Sequence, residues 1–131
     1  MEEQKEKALE RLKILYQNLD TGMTAEKYFS MMEQLEKEPV ESEIPPEWDD
    51  LPDIVVQAIN TWNHMGDRAY PEIGYTGKDF TNLPYWIELY EIEDMEFFLI
   101  LLHWLDDRAI KKSSEQLKKE YEKLKRQNRG R

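Results

Sequence analysis

The chain contains no cysteine, which excludes disulfides, thiolate nucleophiles and thiolate metal ligands. It has two histidines, His64 and His103, so a zinc site would have to be completed by carboxylates from elsewhere. With only 5 Gly and 6 Pro among 131 residues and 35% charged residues, the composition points to helices with solvated faces. The longest strongly apolar run, Phe97 to Leu102, is far too short to span a bilayer. Residues Met1 to Lys7 alternate in charge without an apolar stretch, so no secretory leader is expected and the expected location is cytoplasmic. No repeat of solenoid length is present.

What is present argues for a folded domain. The 40% hydrophobic fraction includes 4 Trp, 7 Tyr and 4 Phe, aromatic content that disordered chains lack. The net charge of −10 is unevenly spread. Residues 108–131 hold 10 Lys or Arg against 3 Glu, a net +7, and the preceding 107 residues hold 8 against 25, a net −17. The acidic body disfavours nucleic acid. The basic end suits phosphate, an acidic partner, or the dipole of its own helix.

Apolar spacing predicts an all-α fold. Leu9, Leu12, Leu15, Tyr16 and Leu19 form a stripe on a first helix closed by Asp20-Thr21-Gly22. Thr24 is placed to cap a second helix reaching about Lys37, with Tyr28, Met31, Met32 and Leu35 as its stripe. Residues 1–37 thus read as an N-terminal helical hairpin. Residues 38–50 hold three prolines and six acidic residues and read as an extended acidic linker, pinned by Trp48. Residues 51–112 read as a compact helical core. Its third helix is capped by Asp50 and carries Val55, Ile59, Trp62 and Met65 inward; residues 67–82 form an ordered loop, and a short helix follows from Leu83. A last helix from Asp94 is apolar around its circumference at Phe97 to Leu102, which predicts burial on several sides. Residues 113–131 read as a basic C-terminal helix and tail, with Ser113-Ser114 as a place to bend or break. All of this is expected to form one compact domain.

Several stretches invite a chemical reading and fail it. Gly74-Tyr75-Thr76-Gly77-Lys78-Asp79 has two residues between its glycines where a phosphate loop needs four, and Asp79 stands where that loop needs Ser or Thr. Glu88, Glu91, Glu93, Asp94 and Glu96 lack the alternating oxygens and central glycine of a calcium loop, and match helix capping. His103 and Asp107 share a helix face without a third ligand. No nucleophile elbow, metalloprotease helix, dinucleotide fingerprint or kinase signature occurs. The expectation is a protein that is not an enzyme, with no catalytic, metal-binding or cofactor-binding residues and no cofactor.

Two surfaces remain. Tyr28, Met31, Met32 and Leu35, with Trp48, form a partner-binding candidate, because methionine-rich helix faces adapt to irregular partners. The alternative is that they pack on the core. The basic tail, with Lys118, Lys119, Lys123, Lys125, Arg126, Arg129 and Arg131, flanks a thin stripe of Leu117, Tyr121 and Leu124. Such a stripe suits pairing with another helix, including that of a second copy in a homodimer.

Ile44-Pro45-Pro46-Glu47-Trp48, Gly66-Asp67-Arg68, Gly74 to Phe80 and Leu105 to Lys112 together resemble a family of small acidic proteins of marine tailed bacteriophages, over roughly residues 24–127. More loosely, Asp79-Phe80 followed by Leu83-Pro84 is similar in layout to phage tail assembly chaperones. That resemblance implies a helical protein that binds the tape-measure protein in the host cytoplasm and is absent from the finished virion. The leading expectation is therefore a non-enzymatic phage protein binding a phage tail protein or a host protein. One alternative is an acidic inhibitor of a host nucleic-acid-handling or defence enzyme. Another is nucleic-acid binding through the basic C-terminal helix. No membrane is expected among its partners.

Overall fold

The computed structural model describes residues 2–129. Among these the chain forms five α-helices and one two-stranded antiparallel sheet. It divides into two compact units, one ending at Val56 and the other beginning at Gln57. The division falls inside the third helix rather than in the acidic segment 38–50.

In the first unit, α1 (Glu2–Thr21) buries Ala8, Leu12 and Leu15 at three- and four-residue spacing. Gly22, at φ +74°, takes the left-handed conformation that ends the helix. Thr24 then caps α2 (Ala25–Gln34), its hydroxyl accepting the Lys27 N–H at 3.1 Å. This helix stops short of Lys37, because Glu36 turns to φ +55° directly after the capping residue Leu35. The acidic segment is more structured than an extended linker. It contains two 3-10 turns, Glu41–Glu43 and Trp48–Asp50. Asp50 does not cap the next helix. Its carboxylate accepts the Glu47 N–H at 2.9 Å and closes its own turn. Pro52, with its fixed φ, instead leads into α3 (Asp53–His64) and accepts from Val55 and Val56.

In the second unit, α3 continues with Ala58, Ile59 and Thr61 buried, and Met65 follows it inside. The all-α expectation needs correction here. Residues 67–82 are not merely a loop, since β1 (Gly66–Tyr70) pairs antiparallel with β2 (Gly74–Asp79). The ladder carries an irregularity: Thr76 and Gly77 together face Arg68, so β2 holds one extra residue and bends. Pro84 sits in the first turn of α4 (Leu83–Leu89).

Asp94 caps α5 (Met95–Arg129) by accepting the Phe97 N–H at 3.1 Å. Phe97, Phe98, Leu101, Leu102 and Leu105 are buried, yet Ile100 is 46% exposed. The helix is therefore covered along one broad face, not all around: an apolar circumference shows that burial is tolerated, and the neighbouring elements decide where it occurs. The helix runs through Ser113 and Ser114 without a break. The Ser113 hydroxyl accepts the Tyr75 N–H at 3.3 Å, so one of its lone pairs serves the sheet. Among the described residues no helix is long and apolar enough to cross a membrane.

Candidate functional site

The densest polar cluster lies in the second unit, around Asp106. This residue is one turn beyond Leu102 and shares the inward register of α5, which leaves it nearly buried. Its Oδ1 accepts three hydrogen bonds: from the Tyr75 hydroxyl at 2.7 Å, the Lys78 N–H at 3.0 Å and the Trp62 indole N–H at 3.2 Å. A carboxylate inside a protein is tolerated only when donors converge on it in this way. The Lys78 side chain, 8% exposed, lies over the Trp62 ring at 4.4 Å. Its ammonium donates to the Met65 carbonyl at 3.2 Å and pairs with its cross-strand neighbour Asp67 at 2.6 Å.

This arrangement clamps the sheet to α5. Gly77, at φ +122°, lies so close that an added Cβ would stand 2.9 Å from Asp106 Oδ2. At Gly74, φ +85°, an added Cβ would stand 2.5 Å from a Leu117 methyl and 3.2 Å from the Ser113 hydroxyl. The two glycines of the apparent phosphate loop thus supply close approach and positive φ rather than a phosphate cradle. Partial burial, and then the hydrogen bond to Asp106 and its negative charge, push the Tyr75 hydroxyl well above the usual tyrosine range. Every named group in this cluster is engaged with another, an arrangement suited to holding elements together.

The first unit is organised differently. The Tyr28 hydroxyl accepts the Val40 N–H at 3.2 Å and donates to Glu43 at 3.3 Å, tying the acidic segment to α2. Arg11 donates to the Asp50 carbonyl at 3.3 Å, and Tyr16 meets Trp48 edge to face with ring centroids 6.4 Å apart. These contacts fold the segment back along α1 and leave a groove of about 390 Å³. Its walls are Leu15, Asn18, Leu19, Met23, Thr24, Ala25, Pro46, Glu47, Trp48 and Asp49. Leu19 is 54% exposed and Trp48 46% exposed, so both anchors of this apolar floor remain accessible. The unit is acidic, with 15 Asp or Glu against 6 Lys or Arg in residues 2–56.

The structure separates the residues expected to bind a partner. Tyr28 is 5% exposed and acts as an internal tie, so it is corrected from a surface residue to a structural one. Its stripe position faces inward, where its hydroxyl finds partners in the acidic segment. Met32 is half-buried, while Met31 and Leu35 are exposed. Met31 lines a second, more polar hollow with Thr24, Glu26 and Lys27. Trp48 belongs to the groove, together with Leu19 and Met23, which the stripe on α2 did not single out. The missed signal is positional: Leu19 and Met23 straddle the Gly22 turn, where a helix end exposes apolar side chains.

Lys118, Lys119, Lys123, Lys125 and Arg126 are exposed on the last part of α5, with Lys125 stacked on Tyr121 at 5.2 Å. Arg131 lies outside the described residues. His103 and Asp107 are exposed on α5, and among the described residues no group of three or more His, Asp or Glu side chains is gathered as a metal site. No protein-family model matches this chain, and neither a curated protein nor a solved structure shows significant similarity to it.

Proposed function

We infer that the protein works without catalysis, by binding another protein in the groove between α1 and the Trp48 segment, most concretely in the manner of a phage tail assembly chaperone. The observation that supports this reading is the groove itself: an apolar floor with Leu19 and Trp48 accessible, set in a unit with an excess of carboxylates. The occupant that fits is an amphipathic helix whose apolar stripe is flanked by Lys or Arg. Its stripe would fill the groove, and its charges would meet Glu47 and Asp49 at the rim. Aromatic anchors in accessible pockets dominate such interfaces, while rim charges chiefly set encounter rate and salt dependence.

The test is a tagged pull-down from infected cells, comparing wild type with Trp48→Ala and Leu19→Asp, washed at low and high salt. The expected result is a helical phage protein that survives high salt with wild type and is lost with both variants. Recovery of a basic host enzyme that washes away at high salt would instead support the inhibitor reading. Retention of the same partner by both variants would exclude the groove.

A further inference from the structure

The end of α5 has the chemistry that the groove calls for, and it stands without cover in its own unit. Beyond Leu117, which meets Gly74 of the sheet, residues 118–129 are all exposed. On this stretch Tyr121 is 62% exposed and Leu124 is equally open, one helical turn apart. They are flanked by Lys118, Lys119, Lys123, Lys125 and Arg126, which outnumber Glu120 and Glu122 on the same stretch. Like-with-like pairing of two such ends would set these cations against one another. An acidic, apolar acceptor is the complementary surface, and the first unit of the same protein carries one. A groove of about 390 Å³ lies in the range of ordinary binding pockets and has room for two large side chains.

We propose that the basic end of α5 docks into the Leu19–Trp48 groove of a second copy and that copy's end docks in return, so that two contacts between unlike surfaces close a dimer. Tyr121 and Leu124 enter the groove, and the flanking lysines face Glu47 and Asp49. This assignment rests on the reading of the groove as a protein-docking site. It adds that the protein's own tail is an occupant of that site and competes with the partner for it. Self-association then holds the groove closed until a partner displaces the tail.

The experiment is sedimentation of the full chain at low and high salt, with three variants: Lys118→Glu/Lys123→Glu in the tail, Glu47→Lys/Asp49→Lys at the groove rim, and Trp48→Ala on its floor. Wild type is expected to dimerise, with a dissociation constant that rises about tenfold or more at high salt. Each variant alone is expected to be monomeric. Mixing the tail variant with the rim variant is expected to restore dimers, since each contact then pairs opposite charges again. That rescue also shows that both variants are folded.

A monomeric wild type at low salt would overturn the proposal, while the pull-down with Trp48→Ala would still judge the groove by itself. Dimers that survive Trp48→Ala and the rim reversal would place the tail elsewhere and overturn it too. Dimers that behave as expected, beside a phage partner still captured by Trp48→Ala, would keep the self-contact and remove the groove as the partner's site.

Discussion

The two units solve opposite problems with similar residues. In the second unit, polar groups are drawn inward: Asp106 is buried with three donors on one oxygen, and Lys78 is buried over an indole ring. In the first, the Arg11 tie to the acidic segment is exposed and the Tyr28 tie is part-buried, and large apolar groups such as Leu19 and Trp48 stay accessible. Buried, fully engaged polar networks fix one arrangement of the chain. Accessible apolar groups beside a tied-down segment keep surface available. The comparison teaches that the most chemically suggestive cluster in this protein is engaged in holding elements together, and that the accessible apolar surface lies in the plainer unit.

Breaking the scaffold has the largest expected effect. Asp106→Ala removes the acceptor of three donors and is expected to cost about 3 kcal/mol or more in urea unfolding, at about 1 kcal/mol or more for each donor left unpaired. By contrast, Leu19→Asp alters an exposed position and is expected to stay within about 0.5 kcal/mol while removing partner capture. If the two variants were equally destabilised, the division between scaffold and surface would be wrong. Gly77→Ala comes next, at about 1–3 kcal/mol, because a side chain at φ +122° is strained and its Cβ meets the Asp106 carboxylate.

In the first unit, Tyr28→Phe removes the two hydrogen bonds of its hydroxyl and is expected to cost about 1 kcal/mol. Its clearer signature is faster proteolysis within residues 38–47, with α2 still helical by circular dichroism. The smallest effect is a pH dependence. The Tyr75 hydroxyl is raised in the folded state, so its contribution to stability is fully present below the ordinary tyrosine value of about 10 and is lost as pH rises beyond it. Unfolding midpoints measured from pH 8 upward should therefore fall more steeply in wild type than in Tyr75→Phe. An unchanged slope would mean that the phenol is not held in its neutral form by the cluster.

The helices were legible because their apolar residues repeat at helical spacing and their ends carry recognisable caps, Thr24 and Asp94 above all. The sheet was not. Gly66-Asp67-Arg68-Ala69-Tyr70 has no alternation of apolar and polar residues, and each of its residues is exposed. What holds it is its ladder with β2 and the attachment of β2 to α5, a non-local cause that a window of sequence does not contain. Asp106 did leave a trace: it is a carboxylate in the inward register of Phe98, Leu102 and Leu105, where an unpaired charge would be intolerable. The donors that make it tolerable there are 28, 31 and 44 residues away, beyond any local stretch of sequence. The groove was half legible. Trp48 stood out in a polar segment, but Leu19 and Met23 become neighbours of Trp48 only because the segment folds back along α1.

The continuity of α5 through Ser113 and Ser114 has a consequence for kinetics. A free peptide as short as residues 118–129 would be marginally helical in water, because nucleating the first turn is the unfavourable step. Here the packed half of the same helix is a permanent nucleus, so the exposed end adds turns one residue at a time and frays only from its tip. Amide hydrogens should accordingly exchange in a gradient, fastest near Arg129 and slowest toward Leu117. An end that is already wound loses little freedom on meeting another surface, so little of the contact energy is spent on ordering it.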